Sequence, residues 1–167
     1  MSKEDFSQYG KDFQETLCHL ILADRPFADQ MFEVLNINFL ELKYLQTFVQ
    51  LVRKYREKFS VHPSETAMTA ILRTEISNEN EPVQQQLRNF YARISKSRIE
   101  DSDYIRETSL DFCKKQKLKE AMLKSVKLLK NSSFDEISQV INDALRLGSD
   151  SNFGHDYLKD FEQRFIF

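Results

Sequence analysis

The chain has 167 residues, of which 41% are hydrophobic and 30% charged, with a formal net charge of -2. That is enough apolar material for one domain with a real core, and there is no global charge excess to demand a nucleic acid. With only 3 Gly and 3 Pro, the composition excludes hairpin-rich β folds and predicts long uninterrupted helices.

Fourteen Phe and no Trp make Phe the expected source of core volume. Cys18 and Cys113 have no framework spacing, which fits a reducing cytoplasm. No apolar run approaches the ~18 residues of a membrane span, and MSKEDFSQYG is polar rather than signal-like. The expected location is cytoplasmic, with no membrane partner.

Residues 1–10 read as a flexible leader. Phe13, Leu17, Leu20 and Ile21 then share a helical face over Lys11 to Asp24. Pro26 opens a short helix carrying Phe27, Met31, Val34 and Leu35. Asn38 followed by Glu41 has the spacing of a capping box for a third helix. That helix runs to about Phe59, with Leu45, Phe48, Val49, Val52, Tyr55 and Phe59 on one face. Ser64 caps a fourth, bearing Ala67, Met68, Ile71 and Leu72. These elements make a helical head over residues 11–77.

The polar stretch from Ser77 to Pro82 connects it to a fifth helix with Val83, Leu87, Phe90 and Ile94 on one face. Residues 103–131 follow without Gly or Pro, about 44 Å if wholly helical. Its apolar positions fall into two patches, Ile105, Phe112 and Cys113 first, then Leu118, Met122, Val126 and Leu129. Helix five and this helix are expected to form a long antiparallel hairpin over residues 82–131. The second patch is expected to self-associate with a partner hairpin, because it offers more apolar area than helix five can cover.

Residues 132–148 form a separate amphipathic linker helix. Ser133 with Glu136 makes its capping box, Gly148 its stop, and Ile137, Val140, Ile141, Ala144 and Leu145 its docking face. Residues 149–167 are a polar tail with one possible short helix from Tyr157 to Arg164. The fold class expected is all-α.

No catalytic constellation emerges. None of Gly10, Gly148 and Gly154 precedes a Lys-Ser/Thr pair, so there is no phosphate loop. His19, His62 and His155 lie far apart, and neither HExxH nor CxxC occurs. No cofactor or metal is implied. Cys18 and His19 are neighbours and point about 100° apart on a helix, so one is expected buried and one exposed. A Ser-His or Cys-His pair has no elbow motif to support it.

Binding surfaces have more support. Residues 103–131 carry eight cations against four acids, and Lys114, Lys115, Lys117 and Lys119 are candidate phosphate contacts. Lysines spread around a solvated helix give the same pattern.

The order of these elements resembles the N-terminal domain and linker of DnaB-like replicative helicases, especially phage versions. KDFQETLCHLILAD resembles the opening helix of that family. FLELKYLQTFVQLVRKYREKFSVHPSETAMTAIL resembles its paired helices divided by a Pro-containing turn. DYIRETSLDFCKKQKLKEAMLKSVKLLKNSSFDEISQVINDAL resembles its second hairpin helix running into the linker helix.

The likeness covers about residues 11–147. It implies an N-terminal collar that self-associates through its hairpins, as a dimer or higher and as a ring in the full-length context. It implies a surface for primase or a helicase loader, and a linker helix that docks on a neighbouring motor domain. DNA is then met only indirectly, and the tail leads toward a motor domain that is missing here. By the resemblance this chain is no ATPase, and its place is the host cytoplasm if phage-encoded. Two rival readings are a small helical nucleic-acid-binding regulator using the basic helix, and an enzyme whose site the sequence hides.

Overall fold

The computed structural model describes residues 4–130 and 134–149. Over these the chain is all-α, with seven α-helices, two 3-10 turns and no strand. It divides into two compact units, Met1–Arg106 and Glu107–Phe167.

The first unit departs from the expected flexible leader. Within the expected leader, Phe6–Tyr9 forms a 3-10 turn whose cap, Asp5, accepts the Ser7 N–H at 2.9 Å. Phe6 is fully buried, edge-on to Phe39 and tilted against Phe13, with ring centroids 6.1 and 6.0 Å apart. A Phe with two rings to pack against gains more from burial than a polar leader loses in freedom. Gly10, at φ 89, then makes the corner into the first helix, a backbone conformation that favours glycine.

Helix α1 (Lys11–Ala23) buries Phe13, Leu17, Cys18, Leu20 and Ile21. Helix α2 (Arg25–Val34) starts where Pro26 predicts, with Asp24 Oδ1 accepting from the Phe27 N–H at 3.1 Å. Helix α3 (Lys43–Phe59) starts later than the Asn38–Glu41 pattern predicts. Asn38 lies in the 3-10 turn Ile37–Phe39, and no side chain caps α3.

Glu41 is held instead by Gln14, a fully buried side chain on α1. Its amide oxygen accepts the Glu41 N–H at 2.9 Å, and its amide nitrogen donates to Glu41 Oε2 at 3.3 Å. A buried amide needs partners for both ends, and Glu41 supplies both, so the capping box does not form.

The core face of α3 runs Tyr44, Leu45, Phe48, Val49 and Val52. It stops about two turns short of the expected Phe59, which is 52% exposed, with Tyr55 half-buried between them. Ser60 ends the helix in the left-handed region at φ 59. Helix α4 (Glu65–Thr74) is capped as expected, Ser64 accepting from the Ala67 N–H at 3.2 Å.

Helix α5 (Glu81–Ile94) begins with Pro82 in its first turn and Asn80 as its cap. It is seated on α3, where the Phe90 ring stands edge-on to Phe48 and Tyr44. The compact unit therefore takes in α5, past the boundary expected at residues 77–82.

Helix α6 (Ser102–Leu129) is the longest, 28 residues, and helix α7 (Phe134–Ser149) follows. In α7, Gly148 lies inside the helix and does not end it. The capping residue expected at Ser133 and the tail helix expected from Tyr157 to Arg164 lie outside the described residues. No described helix is long and apolar enough to cross a membrane.

Candidate assembly and docking surfaces

Three side-chain hubs fix the first unit and decide which of its surfaces are left over. At the first, the Tyr44 hydroxyl donates to Glu15 Oε1 at 2.9 Å, and Arg93 Nη2 donates to both oxygens of the same carboxylate. Helices α1, α3 and α5 meet there. Burial first, and then the negative Glu15 partner, pushes the Tyr44 phenol upward from its usual range. The hydrogen bond to Glu15 pushes Arg93 up as well.

At the second, His62 bridges α1 and α3. Its Nε2 lies 2.6 Å from the Leu22 carbonyl, so that nitrogen donates. Its Nδ1 lies 2.8 Å from Arg56 Nη1, so that nitrogen accepts. Arg56 also pairs with Asp29, holding that carboxyl below the usual range through the hydrogen bond. The Phe32 ring lies under both Arg53 and Arg56, 5.2 Å from each guanidinium carbon.

At the third, Asp24 serves two helices. Oδ1 caps α2, and Oδ2 accepts from Arg106 Nε at 2.8 Å in the first turns of α6. Arg106 also reaches Asp103 at 3.0 Å.

Among the openings around these hubs are a polar cleft and a more apolar groove. The cleft, of about 660 Å³, is bounded by α1, the end of α5 and the start of α6, with Asp12, Glu15, His19, Arg98 and Tyr104 on its wall. Cys18 is buried and its thiol pushed upward by desolvation, whereas half-exposed His19 is pushed downward by the same cause. The pair thus divides into one buried and one half-buried side chain, short of the full exposure expected of the second. The groove, of about 500 Å³, runs between α3 and α4. Sequence reasoning missed it, and its signal was Phe59, placed on the core face of α3 but exposed.

In the second unit, the face expected to self-associate is split. Leu118 is buried at 4% exposure, while Met122, Val126 and Leu129 are exposed at 37%, 53% and 53%. The buried seam of α6 instead runs Leu118, Ala121 and Ser125, the Ser125 hydroxyl donating back to the Ala121 carbonyl at 2.8 Å. Two small side chains share this seam with Leu118, and the large ones beside it are exposed. Leu123, 56% exposed and not anticipated, completes a patch with Met122, Val126 and Leu129 at helical spacing.

The first apolar patch behaves as expected, with Ile105, Phe112 and Cys113 buried. Burial pushes the Cys113 thiol upward, against the opposing charge of Lys117. Lys115 is paired with Asp111 at 2.9 Å, one turn back on the helix. Lys114 and Lys119 also have partners. Three of the four expected phosphate contacts, Lys114, Lys115 and Lys119, thus have partners.

On α7, Ile137, Val140, Ile141, Ala144 and Leu145 are all half-buried, and Phe134 at the helix start is 70% exposed. Among the described residues no group of three or more His, Cys, Asp or Glu side chains is placed to hold a metal ion.

Comparison with known proteins finds no matching family model, no matching curated protein and no matching solved structure.

Proposed function

We propose that this chain is a non-catalytic N-terminal assembly and partner-docking module of a hexameric DnaB-like replicative DNA helicase. It acts in DNA replication in the cytoplasm, the host's if the chain is phage-encoded. The observation that carries the reading is the outward patch Met122, Leu123, Val126 and Leu129 on the distal part of a 28-residue helix. An assembly helix needs such a patch, and a solvated surface helix does not. The likeness of residues 11–147 to the collar and linker of that family supports the same reading, and so does the all-α fold.

A second copy of the chain is the proposed occupant of the patch. Full burial of an exposed large apolar side chain is worth about 1.5–3 kcal/mol, and with these four about half exposed two facing patches still supply several kcal/mol toward the association cost. In the ring, α7 docks on the motor domain of a neighbouring subunit, and the head meets primase or a loader.

Sedimentation equilibrium of the parent chain tests the first step. We expect concentration-dependent association that Met122→Asp and Leu123→Asp each abolish without changing the helical content. A strictly monomeric parent up to the highest soluble concentration overturns the reading. So does salt-dependent binding of the parent chain to DNA, which would transfer the function to the basic face of α6.

A further inference from the structure

The groove between α3 and α4 is a surface feature of the first unit that the hubs do not use. Its floor is Leu51, Tyr55 and Phe59 from α3, with Ala67, Ala70 and Ile71 from α4. Two alanines on one wall leave room for larger side chains from outside. Phe59 at its end and Val61 in the following turn are each 52% exposed, an apolar display that packing within the unit leaves in water.

The rim is charged and uneven. Lys54 and Lys58 stand on the α3 side one turn apart, with Lys58 Nζ 5.3 Å from the Phe59 ring centroid, and Glu75 closes the opposite end. From Leu51 to Phe59 the groove follows α3 for about 12 Å, just over two turns of an opposing helix.

We propose that this groove docks an amphipathic helix of another protein, one carrying acidic side chains along the flank that meets Lys54 and Lys58. Apolar side chains at i, i+3, i+4 and i+7 of such a helix fill the floor, and its carboxylates meet the two ammonium groups. The assignment rests on the groove, and it names the partner chemistry for the docking role proposed above.

The test uses the full chain and two synthetic 16-residue amphipathic peptides with the same Leu face. One carries Glu on its flanks and the other carries Lys at the same positions. Titration by fluorescence anisotropy is expected to show saturable binding of the Glu peptide and about ten-fold weaker binding of the Lys peptide. The chain with Lys54→Glu and Lys58→Glu, whose positions are exposed and whose thermal melt should match the parent, is expected to reverse that preference. Phe59→Ser should weaken both peptides.

Equal binding of the two peptides, or a preference that survives the charge reversal, overturns the proposal. If the double reversal lowers self-association in sedimentation instead, the occupant is a second copy of this chain and a foreign partner is refuted. Failure of peptide binding with α6-dependent self-association intact refutes the groove alone and leaves the assembly reading standing.

Discussion

Arg93 on α5 places Nη2 2.8 Å from Glu15 Oε2 on α1, across 78 positions of sequence. The two partners are unequally placed, the Glu15 side chain being 14% exposed and that of Arg93 53%. The carboxylate is thus the buried half, and it also holds the Tyr44 hydroxyl.

Unequal burial predicts unequal substitution costs. Glu15→Ala strands the Tyr44 hydroxyl and is expected to cost about 1–3 kcal/mol, whereas Arg93→Ala removes a mostly solvated cation and should cost about 1 kcal/mol or less. Urea denaturation of both variants reads the difference. Equal costs would show that Glu15 is not the hub of the three helices.

Alkaline pH should weaken the fold. Tyr44, Cys18 and Cys113 are all raised above their ordinary values, chiefly by burial, so folding favours their neutral forms. Stability from a raised group is complete below its unfolded value and is lost as pH climbs past it, here upward from 9.0 for the thiols and 10.0 for tyrosine. Urea midpoints at pH 8 and pH 10.5 should differ, and Tyr44→Phe should reduce the difference. A midpoint that rises with pH would contradict the burial of all three.

The Thr47 side chain is an avoidable expense. It is buried at 5% exposure, and its hydroxyl has no hydrogen-bond partner among the described residues. Thr47→Val keeps the β-branched shape and removes the desolvated hydroxyl, so a gain of about 1 kcal/mol is expected. Loss of stability in a thermal melt would mean that the hydroxyl has a partner in solution.

The amphipathic face of α7 separates docking from core. Tyr9, Tyr44, Tyr55, Tyr91 and Tyr104 all belong to the first compact unit, so near-ultraviolet circular dichroism reads mainly that unit. Ile141→Asp is expected to leave its melting midpoint nearly unchanged. A loss of several kcal/mol would make the face part of the core that supports those tyrosines.

Local signals in the sequence were legible wherever the partner was also local. Ser64 caps α4 and Pro26 opens α2 because their partners lie within four residues. The core faces of α1 and α5 follow from 3.6-residue spacing, whereas on α4 Met68 and Leu72 are buried and Ala67 and Ile71 are half-buried beside the groove.

Legibility failed where a distant residue outbid a near one. Glu41 had Asn38 at capping distance, yet Gln14, 27 residues back, satisfies both ends of its own buried amide there. Phe6 sat in a polar decamer and was claimed by Phe13 and Phe39. On α6, periodicity weighted the large side chains, yet Ala121 and Ser125 are buried while Met122 and Val126 are exposed.

One carboxylate, that of Asp24, both begins α2 and grips Arg106. The start of one helix and the anchor of another therefore hang on a single ionised side chain, so replacing it by Asn keeps the cap and releases the arginine, whereas Ala loses both.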